Sequence, residues 1–363
     1  MSSKHAAIVG AGLAGRLLAL EMARKDWQIT IFEKDDDSGM ESCSWTGAGM
    51  IAPYCEQESA EPVICEIGLR SLDLWPKILE QLPEKVFYQN DGSLVVAHPN
   101  DEDELNRLQR EVEYRDFEDP VMQIMDGKTI TELEPELQDR FHKGLFFPYE
   151  AQVDNWQLMG ATTRAMNELG VTSHFYTEVS EIQPGSIVAN GETLTFDLVC
   201  DCRGLGAQPD MKDLRGVRGE LIHVTAPDVK ISRPVRMMHP RYPLYIVPRE
   251  DDRFVIGATK IESDDLSEIS VRGTLELLSA AYALHPGFAE ARIIETSTHC
   301  RPAMPDNLPR VDFCEGLLTI NGMFRHGFLI APALVEAAVS QLTTGKVEGP
   351  VAEIISFDGV RKK

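Results

Sequence analysis

Positive charge is scarce in this sequence. Lys and Arg number 35 against 58 Asp and Glu, a formal net charge of -23 over 363 residues. Such a surface repels phosphate backbones and anionic lipid, so neither nucleic acid nor a membrane is expected as a partner. A local basic site for a small anion is still compatible with it, because net charge describes only the far field. Long apolar runs are missing too. No stretch reaches the ~20 charge-free apolar residues of a membrane helix. The first apolar run, residues 6–12, is too short for a leader and meets glycines at once. The expectation is a soluble, cytoplasmic protein. Cysteine is sparse and unpatterned. Cys43, Cys55, Cys65, Cys200, Cys202, Cys300 and Cys314 are odd in number and widely spaced, which fits neither a disulfide framework nor a zinc site. Cys200 and Cys202 share one strand face and read first as free thiols, with a redox or metal pair as the alternative. GxSxG, HExxH and P-loop motifs are absent.

What is present begins near the N-terminus. Residues 5–9 read as a buried strand, 16–24 as a helix, and 28–32 as a second strand ending at Glu33. This is a β-α-β unit with a right-handed crossover. Between strand and helix, Gly10-Ala11-Gly12-Leu13-Ala14-Gly15 satisfies GxGxxG. Gly10 permits the tight turn, Gly12 lets backbone approach a pyrophosphate, and Gly15 allows close helix–strand packing. The unpaired N–H groups at the helix start favour that anion. Glu33, roughly 20 residues on, is placed to accept hydrogen bonds from an adenosine ribose and to repel a 2′-phosphate. The motif alone does not separate FAD from NAD.

Residues 44–53, SWTGAGMIAP, mix small residues with Trp45, Met50 and Ile51. A segment threading close to a planar ligand has this composition. Helices are expected over 61–81, with Pro76 able to kink it, and over 101–114, 129–137, 155–169 and 274–285. A final helix is expected to begin near Pro332. Strands are expected over 93–97, 144–148, 172–176, 195–200 and 317–321. From 219 to 261 strand-like runs alternate with turns, which reads as antiparallel sheet; a strand over 291–297 follows. The fold class is therefore α/β. A discontinuous, Rossmann-like nucleotide-binding domain takes residues 1–85, 145–218 and 296–363. An antiparallel-sheet substrate-binding domain takes 86–144 and 219–295.

Taken in order, these segments resemble the flavoprotein amine oxidases of the D-amino-acid oxidase superfamily, most closely the glycine oxidases of thiamine biosynthesis. VGAGLAGRLLAL and TIFEK are similar to the family's FAD-binding start. GAGMIAP (47–53) is similar to its loop beside flavin and substrate. LYIVPR (244–249), VIGAT (255–259), RPAMPDNLP (301–309) and GMFRHGFLIAPAL (322–334) complete a likeness that covers almost the whole chain. The resemblance implies FAD held noncovalently. It implies cofactor contacts at Gly10, Gly12, Leu13, Ala14, Gly15, Glu33 and Lys34, then at Thr46, Gly47, Gly49 and Met50. Val179 would meet the adenine end, and Gly204, Gly327, Phe328 and Leu329 complete the set with Arg301 and Arg325. It further implies that Tyr245, Arg301, Arg325 and Met50 border the substrate. Ala303, Met304 and Met323 depart from the family's usual residues, which bears on substrate size and charge. Cys300, beside Arg301, is the candidate for a covalent flavin link, against the family's noncovalent pattern.

Read without the family, an arginine fork at Arg301 or Arg325 suits a planar carboxylate. Surface ion pairing is the plainer reading of both. Tyr245 alternates with Val247 on one strand face and is equally a core aromatic. His299 and His326 are weak candidates for a general base, and Trp45 for a packed loop residue. The expected activity is FAD-dependent oxidative deamination of glycine or another small amino acid by hydride transfer. Molecular oxygen would be reduced to hydrogen peroxide. The alternatives are a flavin-dependent D-amino-acid dehydrogenase and a non-catalytic flavin-binding partner protein. A homo-oligomer is compatible with the family, but no interface signal is present.

Overall fold

The computed structural model describes residues 3–361 apart from 59, 116, 118, 240–242, 348, 358 and 359. Strand His5–Val9 lies inside an eight-stranded sheet, flanked in parallel by Gln28–Phe32 and Leu198–Asp201. Thr172–His174 and Leu317–Asn321 extend the parallel run on either side. Side chains alternate across a strand, and His5–Val9 uses both faces. Ala6 and Ile8 join the core beneath helices Leu13–Ala23, Asn155–Glu168 and Gly327–Thr344. Ala7 and Val9 face a small three-stranded sheet and pack with Val179, Ile187 and Ala189.

That small sheet, Val179–Gln183, Ser186–Ala189 and Glu192–Thr195, corrects the expected single strand over 195–200. Thr195 ends one sheet and Leu198 starts another. The break falls at Asp197, whose carboxylate accepts the His5 N–H at 2.7 Å. An apolar run does not reveal that two sheets share it.

The second eight-stranded sheet is antiparallel, as expected, but for one parallel pair. Val235–Met238 runs parallel to Ser93–Ala97, and its other neighbour, Leu244–Pro248, is antiparallel to it. The strand expected over 291–297 extends through Arg292–Ala303, pairing along Arg215–Thr225. It ends the sheet order, so Pro302 sits in an edge strand where a missing N–H is tolerated. The extension carries Arg301 into the sheet.

The final helix begins at Gly327, five residues before the expected start, and holds Pro332 in its interior. A proline there removes the donor for the carbonyl four residues earlier, that of Phe328. The Trp75 indole N–H replaces it at 2.9 Å. Among the described residues this helix alone is long and apolar enough to cross a membrane. Of its length 61% is buried inside the protein, so its apolar residues belong to the core. Pro76, in turn, leaves helix Pro62–Glu80 undivided.

Candidate active site

A cavity of about 700 Å³ runs between the two large sheets. On its first side, Gly10 turns with φ +100°, and a side chain there would begin 2.6 Å from the Cys202 carbonyl oxygen. Gly15 lies so close to the Gly10 carbonyl that no Cβ fits, which lets Leu13–Ala23 start against the strand. Gly12, the N-cap residue, has open space towards the cavity, its nearest atom being Ser44 Oγ at 3.7 Å. The Leu13 N–H donates to that hydroxyl at 3.0 Å. The Glu33 carboxylate accepts the Ala11 N–H at 2.6 Å, so the acid and the glycine turn are held together. Gly327, which starts the final helix, also lines the cavity and has nothing within 4 Å of its Cβ position. Two helix N-termini therefore border one cavity, each with room for a ligand. Such ends favour anions, and the donor set fits the phosphates and the polar ring edge of FAD.

Of the expected cofactor residues, Gly10, Gly12, Leu13, Ala14, Glu33 and Lys34 line the cavity. So do Thr46, Gly47, Gly49 and Met50 from the threading segment, and Gly204, Gly327, Phe328 and Leu329. Gly15 lies behind the turn. Val179 is outside the lining and packs in the core with Phe32 and Val9. Trp45 also points away, stacked on Trp156 at 5.1 Å.

On the second side the cavity is built from side chains. The Tyr245 ring lies across Gly257 on the neighbouring strand, where a Cβ would meet the ring 2.6 Å away. The Arg301 guanidinium lies across Gly219 in the same manner, at 2.5 Å from the Cβ position, and donates to the carbonyls of Thr259 (3.2 Å) and Arg218 (3.3 Å). Both glycines are packing sites that the sequence pattern does not mark. Arg325 Nη2 pairs with Glu56 at 2.5 Å, and His326 Nδ1 stands 3.6 Å from the same carboxylate. Arg236 donates to the Cys55 carbonyl at 2.7 Å and also lines the cavity. Burial pushes the Tyr245 hydroxyl's pKa up, with Arg301, Glu56, Arg325 and Arg236 all acting on it. Tyr245, Arg301, Arg325 and Met50 thus line one cavity.

The two candidate bases diverge. Burial pushes the His326 imidazole down to about 4, with Arg325 and Arg301 adding to that and Glu56 opposing it. Burial also disfavours the charge on His299, but its contacts to Cys43 and to the Cys300 and Glu41 carbonyls outweigh this and bring it up to about 9. Cys300 donates to the carbonyls of Ser263 and Asp265, and burial pushes its thiol up to about 11.

Sequence reasoning missed four residues. Glu56 and Arg236 line the cavity. Buried Arg16 ties the glycine turn (Ala11 O, 2.6 Å) to Asn155–Glu168 (Met159 O, 3.0 Å). Buried Arg249 holds the threading segment through the Ala48 carbonyl at 2.6 Å. Glu56 and Arg236 stand in stretches without a motif, whereas Arg16 and Arg249 lie inside VGAGLAGRLLAL and LYIVPR, where nothing local marks the charge as buried.

A family model for FAD dependent oxidoreductases (DAO) matches residues 5–341. The chain is 40% identical over 335 residues to ThiO of Rhizobium etli, a protein named provisionally as a thiamine biosynthesis oxidoreductase. The match covers 92% of this chain and 95% of that one. It is 28% identical over 346 residues to a glycine oxidase of Geobacillus kaustophilus, covering 90% and 89%. The crystal structure of glycine oxidase from that organism superposes with a TM-score of 0.84 at 25% identity, covering 95% and 96%. An iminodiacetate oxidase from a Chelativorans species also superposes at 0.84, with 23% identity over 98% and 100% of the two chains, a likeness of fold.

Proposed function

The chain belongs to the DAO family of FAD dependent oxidoreductases, and from that premise we propose that it oxidises glycine or another small primary or secondary α-amino acid to the imine. The convergence of Arg301, Arg325 and the Tyr245 hydroxyl in one cavity carries this reading. Arg301 presents a planar fork to a substrate carboxylate, and its two carbonyl contacts fix the fork before substrate arrives. Tyr245 stays a neutral hydroxyl and donates to the same carboxylate. FAD, when bound, supplies the acceptor for the hydride equivalent that leaves the α-carbon. Gly10 to Ala14 and the helix start at Leu13 hold its phosphates, Glu33 its ribose, and Gly327 to Leu329 its ring edge.

The protonation states support hydride loss over proton abstraction. Glu56 is held down at about 2, His326 at about 4, and His299 is up at about 9. At neutral pH none of the three is matched to taking an α-proton. Molecular oxygen is the proposed final acceptor, giving hydrogen peroxide. The likeness to the Rhizobium protein and to glycine oxidase supports a place in thiamine biosynthesis, where the imine of glycine would be the useful product.

The test is an anaerobic titration of the FAD-loaded protein with glycine, sarcosine, D-alanine and D-proline. Bleaching of the yellow flavin spectrum by at least one is expected. No bleaching with any of them removes the amino-acid reading. Peroxide released one for one with substrate separates an oxidase from a dehydrogenase.

A further inference from the structure

We propose that Glu56 is the amine-recognition residue of this cavity, selecting α-amino acids over hydroxy acids and plain carboxylates; this rests on the amino-acid reading above. Glu56 sits on the turn Cys55–Glu58, directly after the threading segment, and lines the cavity. The charged groups acting most strongly on the Tyr245 hydroxyl are the guanidiniums of Arg301, Arg325 and Arg236 and, against them, this carboxylate. For a site that took only an anion, the carboxylate would be a liability. It occupies Arg325 at 2.5 Å and repels any incoming carboxylate. A zwitterion turns the liability into a contact. Its carboxylate goes to Arg301 and Tyr245, and its ammonium to Glu56. A carboxylate has about four lone-pair sites, and the Arg325 pair leaves room for a second donor from the cavity.

Glu56 is also in the right protonation state. Burial pushes its pKa up, but Arg325, His326 and Arg236 outweigh burial and hold it at about 2. It therefore accepts hydrogen bonds throughout the physiological range and takes no proton. Its negative charge keeps the bound amine protonated to higher pH than the cationic cluster alone would, so Glu56 serves recognition, and the ammonium gives its proton to solvent before the hydride leaves the α-carbon. Selection against a hydroxyl follows, because a neutral hydroxyl leaves the buried anion with a weaker partner.

The test uses the FAD-loaded protein and its E56Q variant, with acetate and glycine as probes, read anaerobically by flavin spectral shift and by calorimetry. In E56Q, acetate is expected to bind about tenfold tighter and glycine about tenfold weaker, opposite signs from one substitution. The acid limb of flavin bleaching by glycine is expected to move to lower pH, since removing an anion lowers the amine's pKa. E56D serves where E56Q takes up no FAD. Its carboxylate is drawn back from the amine, so glycine weakens while acetate does not. Shifts of the same sign for both probes, or no shift, overturn the assignment while wild-type bleaching leaves the amino-acid reading standing. If wild-type protein binds acetate but no amino acid bleaches it, the parent reading fails and this one falls with it.

Discussion

The turn at Gly10 and the sheet that carries Tyr245 and Arg301 border one cavity, yet the first is made of backbone and the second of side chains. The first side centres on the contiguous residues 5–33, with its geometry set by Gly10, Gly12 and Gly15 and by the start of their helix, and the start of the final helix at Gly327 joins it. The second assembles Glu56, Arg236, Tyr245, Arg301 and Arg325 from five separate stretches. Backbone recognition is local and tolerates little change. Side-chain recognition depends on a charge balance that no single stretch of sequence contains.

The contrast breaks most visibly at Gly15. G15V forces a side chain into the Gly10 carbonyl, so helix and strand must part. A loss of about 4 kcal/mol or more is expected, with FAD uptake abolished. Fluorescence titration with FAD checks it, and normal uptake would show the turn to be less constrained than its geometry says.

R301A acts on the other side. It should leave FAD content intact and weaken binding of a substrate carboxylate by about 2–3 kcal/mol, with R301K recovering little because the fork is lost. Spectral titration with acetate measures this. Loss of FAD in R301A would mean the two sides are not separable.

Acid should strike the side-chain half first. His326 is held down at about 4 by burial. His223, stacked on Trp156 at 4.3 Å, is lowered to about 4 by burial and then by Arg249 and Arg253. Both imidazoles are neutral in the fold, while the unfolded chain takes up protons below about 6.5. Their stabilisation is therefore complete above that pH and lost as pH falls towards 4. Glu56, depressed to about 2, adds a further loss only below about 4.5. For His223 the expected loss is about 2 kcal/mol between pH 7.5 and 5. Melting curves across that range should show a shallower slope in H223Q than in the native chain.

The smallest effect is expected far from both sides. Arg70 pairs with Glu336 on two exposed side chains, joining helix Pro62–Glu80 to the final helix. R70A should cost less than about 1 kcal/mol and leave both titrations unchanged. A larger cost would mean that the final helix transmits strain to the cavity.

The legibility of the molecule follows the same division. Strands His5–Val9, Gln28–Phe32, Ser93–Ala97 and Leu317–Asn321 were readable to the residue, because alternation and bounding turns are local signals. The early start of the final helix was not. It depends on Trp75, some 250 residues away in sequence, supplying the donor that Pro332 lacks. Arg325 was readable as a cavity residue through its motif, but its pairing with Glu56 was not.

By itself, then, the sequence determined the glycine turn, the acid at Glu33 and the order of segments that build a flavin fold, since each is written within a few dozen neighbouring residues. Only the tertiary structure decided which charges meet. Electrostatic energy depends on separation and burial in space, and neither is encoded in the spacing of Glu56, Arg236, Arg301 and Arg325 along the chain.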